Sequence, residues 1–279
     1  MDIASTVSFL DVSQISTSLQ LVPVIIFLSL ISGIVVGFSL GLVGGGGSIL
    51  AVPLLVYVIG VETHVALGTS ALAVAANALA SLIHHKKIGH VKIKEGFEFT
   101  IPGVIGALIG AQLGLLTPSK HLLFLFGLFM IVMAIIIWRR KPNVSSNEIH
   151  HECGTIFVYK NRISLAGFAV GVAAGYFGIG GGFLITPALM YAASLNIIDA
   201  IGTSLLPVSV FGLTTTLQYA IKGQIHWLVS VLFIMGGIGG GFVGTRLSTK
   251  INIERLGKIF SIILILVALF MIVKTILGQ

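Results

Sequence analysis

The chain has 279 residues, 56% of them hydrophobic and only 9% charged. A soluble domain carries about 25% charged residues, so this composition excludes a water-soluble globular fold. The net charge of +7 is scattered between apolar stretches, with no zinc-finger, RNA-binding or basic-zipper pattern. It therefore argues for no nucleic-acid partner and is better used to read membrane topology.

Met1–Gln20 holds Asp2 and Asp11 and no Lys or Arg, so no cleavable signal peptide is expected there. Five apolar segments follow, at about 21–43, 49–60, 64–84, 97–116 and 121–138. Several approach the roughly 20 residues that a helix needs to cross a bilayer. The polar stretch Arg139–Arg162 reads as a connecting loop. It contains Cys153, the single cysteine, so neither an internal disulfide nor a cysteine metal cluster is available. Five more apolar segments lie at about 163–177, 183–195, 198–221, 227–247 and 256–273.

The second set repeats the first. At an offset of 134 residues, Gly33, Gly37, Gly41, Gly44, Gly46 and Gly47 fall on Gly167, Gly171, Gly175, Gly178, Gly180 and Gly181. Pro53 falls on Pro187, Tyr57 on Tyr191, and Ala66-Leu-Gly-Thr-Ser70 on Ala200-Ile-Gly-Thr-Ser204. Gly89, Gly103, Gly106 and Gly110 fall on Gly223, Gly237, Gly240 and Gly244. Chance matching of apolar residues would not keep so many Gly, Pro and Thr-Ser positions in one register. The chain thus divides into an N-terminal extracytoplasmic segment (1–20), a first membrane repeat (21–138), a cytoplasmic connection (139–162) and a second membrane repeat (163–279).

Five segments per copy is an odd number, so the copies should insert upside down relative to each other. Under that arrangement one side receives Lys86, Lys87, Lys92, Lys94, Arg139, Arg140, Lys141, Lys160, Arg162, Arg246, Lys250, Arg255 and Lys258. The other receives only Lys120, Lys222 and Lys274. Fusing the first two segments of each copy into one crossing makes the split less uneven. The positive-inside rule therefore favours inversion, with both termini outside and 85–96, 139–162 and 246–258 in the cytoplasm. The expected fold is an all-α integral membrane protein. It has two inverted repeats of about five apolar segments each, and short broken or re-entrant helices at Gly-rich loops. Such repeats provide two halves that can rock for alternating access.

Two glycine runs break the apolar pattern: Val43-Gly-Gly-Gly-Gly-Ser48 and Phe177-Gly-Ile-Gly-Gly-Gly182. Neither has the Lys-Ser/Thr of a phosphate-binding loop, and no strand–turn–helix unit surrounds them, so no nucleotide cofactor is expected. In the second copy the arms Ile163–Phe177 and Phe183–Leu195 are both too short for a bilayer of roughly 30 Å. They predict a hairpin or broken helix with its tip inside the membrane. Backbone N–H groups there would make an anion site. Gly44, Gly45, Gly46, Gly47, Ser48, Gly178, Gly180, Gly181 and Gly182 are its candidates; tight helix packing is the alternative use of the same glycines. Packing is the expected role of Gly33/Gly37/Gly41, Gly167/Gly171/Gly175, Gly106/Gly110/Gly114 and Gly236/Gly240/Gly244, all spaced by four.

Thr69, Ser70, Thr203 and Ser204 place paired hydroxyls near the start of each third segment, to cap helices or to bind substrate. Asn77 lies further along the first of these segments and aligns with Phe211 in the second. Gln218 adds polarity near the end of the second copy's third segment. Asn77 and Gln218 are candidates for substrate contact or for helix–helix hydrogen bonds. No Asp, Glu, Lys or Arg sits near the centre of any apolar segment, and neither a paired acid–base constellation nor a metal-ligand spacing occurs. Neither an enzyme nor a metal site is expected. A bound anion would be held by dipoles, hydroxyls and amides.

The glycine loop followed by Pro53 or Pro187, then the Gly-Thr-Ser motif, each present twice, resembles the TauE/SafE sulfite exporter family, also called the toluene sulfonate uptake permease family. The resemblance runs from about Leu21 to Leu277. Gly223-Gln-Ile-His-Trp227 is similar to the family's connection after the third segment, whereas Gly89-His-Val-Lys-Ile93 keeps only the Gly. The resemblance implies a cytoplasmic-membrane permease for sulfite, sulfonates or related small anions, with the lipid bilayer as its other partner. By matching motifs it points to Gly44–Ser48, Thr69, Ser70, Gly178–Gly182, Thr203 and Ser204. An anion channel, or a transporter of another organic anion, is the competing expectation. Direction, coupling and oligomeric state have no sequence signal.

Overall fold

A computed structural model describes residues 12–87, 89–139, 156–248 and 253–277. The first eleven residues, most of the connection between the copies with Cys153, and 249–252 lie outside the described residues, as do the topology expectations that rest on them. The described chain is helical throughout. The first copy comprises α1 (Val12–Val43), a 3-10 stretch (Gly44–Leu50), α2 (Ala51–Pro53) continued by a π-helical stretch (Leu54–Val58), α3 (Thr63–Lys87), α4 (Ile93–Leu116) and α5 (Ser119–Arg139). The second comprises α6 (Ile156–Tyr176), α7 (Gly182–Ala192), α8 (Ile197–Ile221), α9 (Trp227–Ser248) and α10 (Ile253–Ile276).

Seven of the described helices are long and apolar enough to cross a membrane, and Gly47–Val58 and Gly182–Ala192 are shorter apolar helices. The chain is a multi-pass membrane protein. Its outer surface agrees with that medium: Leu125, Leu128, Ile262, Leu266, Leu269 and Phe270 on α5 and α10 are all exposed. A water-facing surface would not keep such a girdle, whereas lipid accepts it.

One expectation needs correction. The arm before the second glycine loop is not short. Helix α6 begins at Ile156, inside the expected connecting loop, and runs for 21 residues. At 1.5 Å per residue it is about 31 Å long. The run Ile156-Phe-Val-Tyr159 continues the apolar pattern across Lys160 and Arg162, which had marked the segment as polar. Only the arm after each loop is short: 11 residues in α7.

The two copies interlock. Helix α1 packs along α9, and its counterpart α6 packs along α4. In both pairs the chains run parallel and meet through glycine. A Cβ built on Gly37 would lie 2.0 Å from the carbonyl oxygen of Gly237, and one on Gly171 would lie 2.1 Å from that of Gly103. The opposing glycines approach as closely: Gly240 meets Ile34, and Gly106 meets Phe168. No side chain fits between these backbones. Lipid tails are as apolar as Leu, so membrane helices gain little from burying Leu against each other. Close backbone approach holds them instead.

The innermost pair is α3 with its own counterpart α8. Gly68, near the start of α3, touches Tyr219 at the end of α8 and Gln224 just beyond it, while Gly212 touches Ala71 and Ala75. The register therefore runs antiparallel. Helices α5 and α10, also counterparts, pair on the periphery.

Candidate functional site

Both glycine loops come to the α3–α8 seam. The 3-10 turns Gly44–Leu50 pack against α7 and α8. Gly178 lies against Leu67 of α3, and Gly180 lies between Val74 of α3 and Val208 of α8. Yet the two loops have different backbones. Gly44, Gly45, Gly46, Gly47 and Ser48 form part of a 3-10 helix, whereas Gly178, Gly180 and Gly181 turn with φ of +62°, +66° and +69°. That left-handed region costs an L-residue energy and costs glycine none. Gly181 is the N-cap of α7, and Gly182 is its first residue. Ser48 is fully buried.

The two Gly-Thr-Ser motifs bind the copies together. Thr69 Oγ1 accepts a hydrogen bond of 3.0 Å from the backbone N–H of His226, just ahead of α9. Thr203 Oγ1 accepts one of 2.9 Å from the N–H of Lys92, just ahead of α4. A helix start leaves backbone N–H groups without intrahelical partners, so each threonine satisfies a donor belonging to the opposite copy. Ser70 Oγ lies 2.9 Å from both the Leu67 and the Gly178 carbonyls, joining α3 to the second glycine loop. Ser204 Oγ donates to Ile201 O at 2.8 Å and accepts from Thr186 Oγ1 at 3.2 Å. All four side chains are fully buried.

Asn77 lies further along α3 and is 3% exposed. Its amide rests against Gly237 of α9, and neither Nδ2 nor Oδ1 has a hydrogen-bond partner. Gln218 belongs elsewhere. Its Nε2 donates to Leu108 O at 3.0 Å, and its Oε1 accepts from Gln112 Nε2, on the outer α4–α8 contact. It lies ten residues beyond Val208, about 15 Å along α8 from the glycine loop. The structure thus puts both glycine loops and the two Thr-Ser pairs on the seam, the pairs towards its opposite ends, with Asn77 one turn beyond Val74 and Gln218 bonded on another contact.

Two contributors had no weight in the sequence reading. Thr186 aligns with Val52, so the repeat comparison hides it. At one end of the seam, Asp199 Oδ1 meets His90 Nδ1 at 3.3 Å, and Asp199 Oδ2 meets Lys92 Nζ at 3.8 Å and Asn196 Nδ2 at 3.1 Å. Asn196 is also the N-cap of α8, its side chain accepting from Asp199 N–H at 2.9 Å. That part was readable, since Asn immediately before a helical run is a start signal.

The model for "Sulfite exporter TauE/SafE" matches residues 29–271. A "probable membrane transporter protein" of Xylella fastidiosa (strain 9a5c) is 46% identical over 244 residues, covering 86% of this chain and 92% of that protein. The "probable membrane transporter protein YunE" of Bacillus subtilis is 29% identical over 253 residues, covering 84% and 93%. A namesake from Haemophilus influenzae is 25% identical over 272 residues, covering 89% and 98%. No solved structure matches significantly. With its interlocked glycine-rich repeats and a family match across nearly all of them, this chain belongs to the TauE/SafE sulfite exporter family of membrane transporters.

Proposed function

We propose that the chain is a secondary transporter of small sulfur-containing oxyanions in the cytoplasmic membrane, working by alternating access between two inverted repeats. One observation carries the reading: two equivalent helices, α3 and α8, pack antiparallel at the centre, with both glycine loops against their seam. Equivalent helices can run antiparallel only about an axis perpendicular to them. For membrane-crossing helices that axis lies in the bilayer plane, the relation expected of inverted-topology transporters. The uneven distribution of Lys and Arg supports the same arrangement, with both termini outside.

The substrate site in this reading comprises Gly44–Ser48, Thr69, Ser70, Asn77, Gly178–Gly182, Thr203 and Ser204. The first turn of α7 offers an anion the positive end of a helix dipole. In the described conformation the Thr69, Ser70 and Thr203 hydroxyls bond across the copies, and Ser204 bonds within the second. Movement of one copy against the other releases them in turn to the anion and then recloses them. A site without a fixed cation binds modestly and lets its ligand go.

The test is a panel of sulfite, thiosulfate, organosulfonates and sulfate in proteoliposomes, with and without a pH gradient. Saturable uptake and counterflow of at least one sulfur oxyanion are expected. Non-saturating flux with single-channel currents would replace the reading with a channel, and absence of any anion flux would end it.

A further inference from the structure

Six residues among the described ones, Ser29, His64, Asn77, Thr215, Tyr219 and Gln224, have a buried side-chain polar atom without a hydrogen-bond partner. Most carry one such atom, on a hydroxyl, an imidazole or an amide oxygen. Asn77 alone has both heteroatoms of an amide in that condition. It is the fifteenth residue of the 25 in α3, so it lies near the middle of a membrane-crossing helix, where water is scarce.

The surrounding backbone makes room for it. A Cβ on Gly237 would lie 2.1 Å from Asn77 Nδ2, and Gly237 itself faces Gly37 of α1. Asn77 therefore sits where α1, α3 and α9 converge. Its counterpart Phe211 occupies the equivalent crossing of α6, α8 and α4, over Gly103, and its ring stacks on Phe99 with centroids 6.4 Å apart. One crossing is filled by aromatic carbon. The other holds two N–H donors and an acceptor with nothing to bond. Val74, one turn earlier on α3, already touches Gly180, so this amide lies about 4.5 Å along the helix from the glycine loop.

An unpartnered amide in a dry interior destabilises the protein unless another group completes it. We propose that Asn77 is the residue that selects the substrate and that it selects a singly charged oxyanion. The inference rests on the transport reading above and names its ligand class. The amide N–H donates to an anionic oxygen. Oδ1 accepts a hydrogen bond where the anion bears a hydroxyl. An uncharged amide with no cation beside it offsets the desolvation of one charge far better than of two. A monoanion such as a sulfonate or hydrogen sulfite fits; a dianion such as sulfate does not.

Thermal unfolding of the full chain in lipid nanodiscs tests this, with methanesulfonate as the permanent monoanion and sulfate as the permanent dianion. Methanesulfonate is expected to raise the Tm of the wild type, and sulfate to leave it unchanged. Asn77→Leu is expected to raise the Tm without ligand, because the unpartnered amide is gone, yet to weaken methanesulfonate binding by about tenfold or more. Asn77→Ala, which removes the whole amide, should lose the ligand response as well, and it serves if the leucine variant does not fold. An equal ligand response in either folded variant overturns the role of Asn77. An equal response of the wild type to sulfate overturns the selection by charge. A wild type that responds to no sulfur oxyanion, and moves none, overturns the transport reading itself.

Discussion

The two ends of the α3–α8 seam are built from equivalent residues, but they are fastened differently. At one end Thr203 takes the Lys92 N–H, and Asp199 adds His90, Lys92 and Asn196. At the other end Thr69 takes the His226 N–H in the same way. There the equivalents of Asp199, His90 and Asn196 are Val65, Gln224 and Glu62, and the Gln224 Oε1 is buried without a partner. The backbone framework is duplicated with its glycines and its Thr-Ser pairs, while the ionic cluster exists once. Duplication thus preserved whatever holds two backbones together. It left free the charged side chains beside one of the two ends.

Predictions follow from this contrast in order of size. The shared framework should be the most fragile part. Gly37→Val and Gly171→Val each push a side chain into an opposing carbonyl that already lies 2.0 or 2.1 Å from the missing Cβ. Each should cost more than about 3 kcal/mol, because neither helix backbone can move aside without opening the whole crossing. Loss of the monodisperse peak in size-exclusion chromatography would record it. Gly239→Ala is the control, since a Cβ there meets nothing within 4 Å. If that change is as damaging as the other two, close backbone approach is not what holds the copies.

The duplicated threonines come next. Thr69→Val and Thr203→Val each leave a backbone N–H at a helix start without its acceptor, for about 1–3 kcal/mol. The two losses should be similar in thermal unfolding, and each should lower oxyanion flux several-fold. A large loss at one threonine and none at the other would mean that the seam is held at a single end.

The unduplicated cluster should matter least to stability. The His90 and Lys92 side chains are 40% and 48% exposed, so solvent screens both pairs. Asp199→Asn should cost no more than about 1 kcal/mol. The difference from wild type should shrink as salt is raised, because exposed ion pairs are screened. A loss that high salt leaves unchanged would point to the Asn196 cap, not to the charges.

Much of the architecture was legible. Within a bilayer every backbone polar group must be satisfied internally, which leaves helices as the natural spanning form for long apolar runs. Composition and segment length were therefore enough to expect an all-α membrane protein. The four-residue spacing of Gly33, Gly37 and Gly41 marked the helix contacts correctly, because that spacing puts small residues on one helix face. The reading erred at Ile156–Arg162, where Lys160 and Arg162 masked a helix that continues through them. Gln218, weighed for substrate contact or for a helix–helix hydrogen bond, makes the latter, to Gln112 and Leu108.

Residue order alone established duplication, membrane residence and the small-residue faces of the helices, since each is a local or periodic property of the chain. Tertiary structure decided what the polar residues meet. Thr69 and His226 lie 157 positions apart, Thr203 and Lys92 lie 111 apart, and no periodicity connects such pairs. The same holds for Asn77 and Phe211. The alignment says only that they differ. The crossing of α1, α3 and α9 leaves the amide without a partner, while the equivalent crossing closes on a stacked ring.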